Sequence, residues 1–470
     1  MKKLTIDPVT RIEGHAKIDI FLDDQGRVAD THFHVTQVRG FEKFVEGRPF
    51  YEMPAITSRI CGICPVSHLL ASAKACDAIM SVTPPETGVK LRELVHCAQF
   101  VQSHALNFFH LSAPDMLMGF DSDPARRNIF GLIEDHPDVA KAGVALHKFG
   151  QEIIAALANE RIHPSWIVPG GVNAPLTAEA RGHMLAELPG ARQHAVRTLA
   201  FYKTLLDQFA EEIENFGTTP TLYAGLVDGD GHSQWYEGLL QFKDADGCLM
   251  GADIRGRDYA EFIGEASLKK SYLKAPYFKP IGYPDGVYRV GPLGRVNASE
   301  DFGTPEADAE LAEFRRRYGP VVHSSFHYHY ARLLELLHGL EKIELLLNDP
   351  AILGKRVRAH AGVNCLEGVG MVEAPRGVLI HHYKVDENGA MRWCNLIVAT
   401  GHNNLAINRS IGQVARHFID GEHFKEGMLN RVSAVVRAYD PCLSCSTHAD
   451  GTLAMPVRLI GPDGRVLDTR

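Results

Sequence analysis

The chain has 470 residues, of which 45% are hydrophobic and 23% charged, a composition typical of a globular protein with a large buried core. Its net charge is −8 with acidic and basic residues interspersed, which excludes the basic surface of a nucleic-acid-binding protein. The start has no apolar stretch of signal-peptide length, and no apolar run is long enough to span a bilayer. We therefore expect a cytoplasmic protein without membrane contact, whose nine cysteines are metal ligands or buried thiols.

Apolar periodicity and turn signals predict a chain that is mainly helical. Strand patterns are shorter and lie in two hairpins, at 16–22 with 28–35 and at 377–385 with 391–400. A strand-rich excursion is expected at 218–297, and a small hairpin around Gly461-Pro462-Asp463-Gly464. The predicted helices span about 54–79, 84–109, 139–157, 177–216 with a break at Pro189-Gly190, 305–318, 324–347, 404–418 and 423–439.

These elements predict a mainly α (α+β) fold, in which a bundle of long helices surrounds a central site and small sheets lie at its margins. No internal repeat divides the sequence. Residues 1–448 are therefore expected to form a single domain, followed by a C-terminal extension at 449–470.

Two C-x-x-C units lie near opposite ends of the chain. Cys61 and Cys64 form one, Cys442 and Cys445 form the other, and a histidine follows each unit at a short distance. Four thiolates make a soft site for a transition metal, which requires the fold to bring both ends of the chain together. Spacing alone leaves two readings open, a structural zinc site and a catalytic thiolate metal centre.

The residues around the two units resemble the signatures of the large subunit of nickel–iron hydrogenases. Arg59-Ile60-Cys61-Gly62-Ile63-Cys64 with His68 is similar to the first signature, and Asp440-Pro441-Cys442-Leu443-Ser444-Cys445 with His448 to the second. Three further motifs agree and stand in the same order as in the family: Asp7-Pro8-Val9-Thr10-Arg11-Ile12-Glu13-Gly14-His15, Arg39-Gly40-Phe41-Glu42 and Glu373-Ala374-Pro375-Arg376-Gly377. The resemblance covers the chain from about Ile6 to His448.

The resemblance implies a nickel–iron centre whose iron also holds carbon monoxide and cyanide. Cys61 and Cys442 would be terminal ligands of nickel, while Cys64 and Cys445 would bridge nickel and iron. It also implies a buried Mg²⁺, held by Glu42, His448 and the carbonyl of Leu396; oxygen ligands suit that ion.

The resemblance assigns roles to residues whose sequence context alone would indicate ordinary structural positions. Glu13 would relay protons outward, although its context alone favours a surface ion pair with Arg11. Arg376 would face the open metal position and the diatomic ligands, although its context favours a surface hairpin end. Asp115 would pair with that arginine, or would be a turn residue at a helix end.

Three more residues have implied roles beside the metals. His68 would hydrogen-bond a bridging sulfur, and the Thr400 hydroxyl would donate to a cyanide nitrogen. Asp440 would orient a neighbouring group, or would cap the turn before Pro441.

Partners follow from what the chain lacks. It has no nucleotide-binding glycine motif and no ligand set for an iron–sulfur cluster, so electrons must leave through a different polypeptide. The resemblance implies a small iron–sulfur subunit. It is greatest to the cytoplasmic NAD-reducing group, which adds diaphorase subunits carrying flavin and iron–sulfur clusters. An F420- or NADP-linked enzyme and a hydrogen sensor are the alternatives. The family also implies nickel-insertion factors and an endopeptidase that removes 449–470 after His448.

Overall fold

The computed structural model describes residues 2–268, 271–419, 425–448, 458–460 and 465–469. Helices dominate, as predicted, and a π-helical segment at Leu106–Ser112 continues one of them. The described α-helices are Phe41–Phe44, Met53–Ser58, Pro65–Met80, Glu86–Ala105, Ala113–Met118, Ile129–Asp135, Pro137–Ala158, Ala178–Leu205, Ala210–Asn215, Tyr259–Phe262, Pro292–Ala298, Pro305–Tyr318, Tyr328–Asn348, Ala399–His402, Asn404–Phe418, Glu426–Tyr439 and Leu443–Ser446.

The long helices pack around Glu86–Ala105, which contacts Pro137–Ala158 on one side and Tyr328–Asn348 on the other. Ala178–Leu205 lies against both of those neighbours. The central helix is buried on nearly every face, since its apolar residues Leu91, Leu94, Ala98 and Phe100 have no exposed surface. A helix buried all round belongs to the interior of a large domain, where it can support a site from within.

Six small sheets accompany the helices in the described part of the chain. The N-terminal sheet pairs Lys2–Ile6, Ala16–Leu22 and Val28–Val35 in antiparallel order, and its second and third strands have the predicted bounds. A second three-stranded antiparallel sheet pairs Glu367–Ala374, Gly377–Val385 and Met391–Ile397. Its first strand packs directly on helix Pro65–Met80 and so borders the interior rather than the margin.

The remaining strands are short. The predicted strand-rich stretch contains a four-stranded sheet, in which Tyr288–Arg289 runs parallel to Leu222–Val227, followed by Leu239–Lys243 and Leu249–Ile254. Three two-stranded ladders complete the sheets: Ile167–Val168 with Gly171–Val172, Ile263–Ala266 with Ala275–Phe278, and Arg458–Ile460 with Val466–Thr469. The predicted turn at 461–464 lies outside the described residues, as does the expected helix start at 423.

The helix expected at 54–79 is interrupted where it carries the first cysteine pair. Met53–Ser58 ends, six residues form a turn, and a second helix begins at Pro65. Proline at a first helical position disfavours helical backbone in the residue before it, and Cys64 accordingly caps the second helix with φ −119°. The prediction of one continuous helix was wrong, and the cysteines lie on a turn.

The break expected at Pro189-Gly190 is absent, since Ala178–Leu205 is continuous through the proline. Leu188 and Ala191, on either side of Pro189 and Gly190, are buried against neighbouring helices. Packing on both sides of the proline therefore outweighs the backbone hydrogen bond that proline removes.

Within the described part of the chain, none of the helices combines the length and the hydropathy needed to cross a membrane.

Candidate metal centre

The fold brings both cysteine pairs to one buried point. Helix Glu426–Tyr439 ends at Asp440, whose φ of +56° is left-handed, and Pro441 prevents the helix from continuing. The chain then enters the interior beside the N-terminus, where Leu443 N–H donates to the Glu13 carbonyl at 3.1 Å. The segment that follows Pro441 thus meets the segment that contains Glu13.

The four cysteine sulfurs lie within 4.8 Å of one another, and all four residues are buried. Cys61 Sγ is 3.4 Å from Cys442 Sγ, and Cys64 Sγ is 3.9 Å from Cys445 Sγ, distances too long for disulfides. Hydrogen bonds from the other three thiols lower the pKa of Cys61, whereas burial raises the pKa of Cys442 and Cys445. Four sulfurs converging in a dry interior fit a thiolate-bound transition metal, because metal charge would compensate the buried thiolates.

Arg376 lies beside this cluster and is 3% exposed. Its Nε donates to the Asp440 carbonyl at 2.7 Å, Nη2 to Asp440 Oδ1 at 3.0 Å, and Nη1 to Ser103 Oγ at 3.2 Å. Burial opposes the guanidinium charge, but the Asp440 carboxylate and the cysteine sulfurs outweigh it and raise the pKa of Arg376. The arginine therefore places a fixed positive charge next to the sulfurs.

Asp115 does not pair with Arg376, so that expectation was wrong. Its carboxylate accepts from Arg11, from Arg437 Nη1 at 2.8 Å and from Asn430 Nδ2 at 3.0 Å. Burial alone would raise the pKa of Asp115, but Arg437 and Arg11 lower it. The aspartate that binds Arg376 is Asp440, because the left-handed residue after helix Glu426–Tyr439 turns its backbone and side chain toward the guanidinium.

Glu13 is anchored to the second cysteine motif. Its carboxylate accepts hydrogen bonds from the Ser444 hydroxyl and from Ser444 N–H, the latter at 3.2 Å. Burial and the neighbouring Cys61 raise the pKa of Glu13. The surface ion pair with Arg11 is not formed, since Arg11 binds Asp115 and the Leu111 carbonyl.

His68 forms its hydrogen bond with another histidine, not with a cysteine. His68 Nδ1 is 3.1 Å from His381 Nε2, and His381 Nδ1 is 2.6 Å from the Tyr383 hydroxyl. This nitrogen of His68 therefore bonds a histidine, where the resemblance implies a bond to a sulfur. The Nε2 atom of His68 is buried and has no hydrogen-bond partner among the described residues. Burial lowers the pKa of His68 to about 4, which keeps the imidazole neutral at neutral pH.

The half-buried Glu42 and the buried His448 meet in a second group of polar residues. His448 Nδ1 is 3.0 Å from Glu42 Oε1, which also accepts from Arg39 Nη1 at 3.0 Å. Burial would raise the pKa of Glu42, but Arg39 and His448 lower it to about 2. The short helix holding Glu42 packs on strand Met391–Ile397, which includes Leu396.

Thr400 lies beside the second cysteine pair, at the start of the short helix Ala399–His402. Its Oγ1 accepts from Cys442 N–H at 2.9 Å, a bond that does not use the hydroxyl proton.

Sequence reasoning missed three contributors to this site. Ser444 holds Glu13, and His381 holds His68. Arg39 binds the Cys445 carbonyl at 2.6 Å as well as Glu42. Arg39 belongs to the motif Arg39-Gly40-Phe41-Glu42, whereas a long-range contact such as His68 with His381 leaves no local signal.

The chain matches the family described as nickel-dependent hydrogenase over residues 39–123 and 225–448, and a family described as HoxL-like over residues 3–38. It is 41% identical to the NAD-reducing hydrogenase HoxS subunit beta of Cupriavidus necator, across 100% of this chain and 99% of that protein. It is 44% identical to a polypeptide of the vhu F420-non-reducing hydrogenase of Methanocaldococcus jannaschii, across 88% of this chain and 99% of that protein. A solved NAD⁺-reducing nickel–iron hydrogenase in the H2-reduced state superposes with a TM-score of 0.93 at 43% identity, covering 95% of this chain and 100% of that one.

Proposed function

Because this chain belongs to the nickel-dependent hydrogenase family and is a hydrogenase catalytic subunit, we propose that it cleaves H2 reversibly into protons and electrons at a nickel–iron centre carrying carbon monoxide and cyanide. The observation that carries the proposal is the buried cluster of four cysteine sulfurs from both ends of the chain. Cys61 and Cys442 would bind nickel, and Cys64 and Cys445 would bind both metals. When bound, the centre supplies a Lewis-acidic, electron-accepting site for heterolytic cleavage.

Glu13 is the proposed acceptor that moves the proton away from the cysteines. Its carboxylate is held by Ser444, one residue before Cys445, so it lies at the cluster. Burial raises its pKa toward the working pH, which suits a group that must both take and release a proton.

Arg376 is proposed to stabilise negative charge at the cluster and to confine the approach of H2. Its position is fixed by three hydrogen bonds, two of them to Asp440 and one to Ser103. A preorganised cation in a dry site acts more strongly than one in water, because nothing must reorient during the reaction. Asp440 is thus the residue that orients Arg376, and Asp115 is proposed to tie Arg11 to Arg437 behind it.

The remaining residues are proposed to hold the surroundings of the centre. His68, whose Nε2 has no partner among the described residues, and Thr400, whose bond to Cys442 N–H does not use the hydroxyl proton, would supply polar atoms for a sulfur and a cyanide nitrogen. Glu42, His448 and the Leu396 carbonyl are the proposed protein ligands of Mg²⁺. The low pKa of Glu42 supports this role, because a hard cation requires an ionised carboxylate.

We propose that electrons pass first to a small iron–sulfur subunit. From there they would reach diaphorase subunits with flavin and iron–sulfur clusters, which reduce NAD⁺. The 41% identity to a NAD-reducing hydrogenase over the full chain supports this acceptor. NAD⁺ is a coenzyme of the cell interior, so this reaction favours the cytoplasm. Nickel-insertion factors and an endopeptidase would mature the chain, and intact mass should show the nickel-loaded protein ending at His448.

Infrared spectroscopy of the purified complex, combined with nickel and iron analysis, tests the centre. We expect sharp bands of metal-bound cyanide and carbon monoxide, about one nickel per chain, and hydrogen-dependent NAD⁺ reduction. The Cys61→Ser variant should lose nickel and bands, whereas Cys248→Ser, at an exposed cysteine, should keep both. A silent infrared window with zinc in the wild-type complex would refute the proposed centre. Intact bands without NAD⁺ reduction would refute the acceptor only.

A further inference from the structure

Arg376 is carried by a tight hairpin turn. Strands Glu367–Ala374 and Gly377–Val385 are joined through Pro375 and Arg376 alone, with Ala374 paired to Gly377. Gly377 has φ +131°, and a Cβ there would lie 2.2 Å from a Val290 methyl carbon. The turn therefore packs tightly against its neighbours. A group that binds the turn backbone also fixes the position of the Arg376 Cα, from which the side chain extends.

The turn backbone is bound by a second buried arginine, Arg295. Its Nη1 donates to the Ala374 carbonyl at 3.0 Å, and its Nη2 donates to the Pro375 carbonyl at 3.1 Å. The remaining donors bind two carboxylates: Nε and Nη2 reach Glu335 at 2.5 and 2.7 Å, and Nη1 reaches Glu373 at 2.6 Å. A guanidinium has five N–H groups, and all five of Arg295 are used.

Glu335 extends the same network to the other side of Arg376. Besides Arg295, it binds His104 Nε2 at 2.8 Å. Ser103, the residue before His104, accepts the Nη1–H of Arg376 at 3.2 Å. The carboxylate of Glu335 thus fixes both the arginine that holds the turn and the helix segment that touches the Arg376 guanidinium.

The network is completely buried, with Arg295, Glu335 and Glu373 each 0% exposed. Apolar side chains of similar volume often stabilise an interior as well as buried ions do, so stability alone gives weak reason for such a network. A lysine would supply the same charge, but its single nitrogen could not reach both carboxylates and both carbonyls that the guanidinium binds. What the guanidinium provides here is geometry.

We propose that Arg295 is a positioning residue of the hydrogenase site, which fixes Arg376 over the cysteine cluster by binding the turn that carries it. The inference rests on the proposed function of the cluster and adds a residue that does not touch the sulfurs. Arg295 acts through the two carbonyls ahead of Arg376, and Glu335 locks Arg295 in place.

The test compares Arg295→Lys with Arg92→Lys in the purified, nickel-loaded complex. Arg92 is a matched control, because it is also 0% exposed and donates to an aspartate, to a tyrosine hydroxyl and to two carbonyls. Those partners, Asp77, Tyr236, Gly171 and Val168, are not in the turn. Both variants keep the positive charge and lose a buried guanidinium, so a general loss of stability would affect both.

We expect Arg295→Lys to shift or broaden the infrared bands of the metal-bound diatomic ligands and to lower H2 turnover per nickel by about 10- to 100-fold, since misplacing a catalytic group by about 1 Å has that effect. Arg92→Lys should keep wild-type bands and turnover per nickel. Equal spectra and turnover in the two variants would overturn the proposal. A wild-type complex without such bands would instead refute the proposed centre.

A second pair of variants keeps the test open if Arg295→Lys does not assemble. Glu335→Gln preserves the shape of the side chain but replaces one of the two carboxylate oxygens that accept from Arg295 with an NH2 group. Glu341→Gln alters a buried carboxylate on the same helix that accepts from Glu306 N–H and Ala307 N–H instead. Band shifts in Glu335→Gln that are absent from Glu341→Gln support the proposal, and unchanged bands in both overturn it.

Discussion

At the scale of single residues, the surroundings of Glu13 suit it to carry a proton. Burial and Cys61 raise its pKa, while Ser444 holds both carboxylate oxygens. Glu13→Gln keeps an acceptor for Ser444 but cannot exchange a proton. We expect hydrogen turnover to fall by about 100-fold, with nickel content and infrared bands retained, because general acid–base groups contribute at that level.

The control for Glu13→Gln is Glu46→Gln, which changes an exposed glutamate paired with the exposed Lys43. That substitution should leave turnover unchanged. If Glu13→Gln turned over hydrogen at the wild-type rate with full metal content, Glu13 would have no part in proton transfer.

At the scale of elements, the site depends on how closely one strand approaches one helix. Strand Glu367–Ala374 lies on helix Pro65–Met80, which starts directly after Cys64. A Cβ at Gly370 would lie 1.9 Å from the Ala71 carbonyl oxygen and 2.6 Å from Ala75 N, both backbone atoms that no rotamer change can move. Glycine is needed here for close approach.

Gly370→Ala should therefore separate the strand from the helix and weaken the metal site. We expect the free energy of unfolding of the metal-free chain, measured in urea, to fall by about 2–3 kcal/mol, as for other overpacked interiors. Nickel content should fall as well, because the displaced helix begins directly after Cys64, a proposed metal ligand.

Gly190→Ala is the matched control for Gly370→Ala. Gly190 lies exposed within helix Ala178–Leu205, and a Cβ there meets nothing within 4 Å. The same substitution should raise the free energy of unfolding by up to about 1 kcal/mol, because alanine favours helix over glycine. Equal effects at the two glycines would show that close packing does not explain Gly370.

The same scale separates what sequence predicts from what it does not. Helices Pro305–Tyr318 and Asn404–Phe418 have the predicted bounds, because local periodicity and caps define them. The break at Pro189 was wrong, because tertiary packing overrides a local signal. The cysteine cluster could be predicted from its motifs, whereas Arg295 could not, since Glu335 and Glu373 lie 40 and 78 residues away in sequence.

At the scale of the whole molecule, buried histidines make stability depend on pH. Burial lowers the pKa of five of them to about 3: His96, His327, His329, His338 and His402. Their ordinary pKa is 6.5, so below pH 6.5 these histidines bind protons in the unfolded chain but stay neutral in the folded chain. Their contribution to stability is complete above pH 6.5 and is lost as the pH falls.

Glu373 acts in the opposite sense. Burial raises its pKa from 4.5 to about 7, so the folded chain takes up its proton first and gains stability as the pH falls from 7 toward 4.5. At pH 5 the five histidines therefore oppose folding, and Glu373 offsets only part of their effect, so the net result of these six groups is a loss of stability.

Urea unfolding of the metal-free chain between pH 7.5 and 5 should therefore show a steep loss of stability, and His327 is the residue with which to assign it. His327 packs among Phe314, Tyr318 and Phe326, and neither of its buried ring nitrogens has a hydrogen-bond partner in the described residues. Phenylalanine should therefore replace it with little change in packing. His327→Phe should reduce the loss at pH 5 by roughly 2 kcal/mol, one histidine's share. His360→Gln, at an exposed histidine, should leave the loss unchanged. If His327→Phe had the same pH dependence as the wild type, buried neutral histidines would not be the cause, and the carboxylates would have to account for the acid sensitivity.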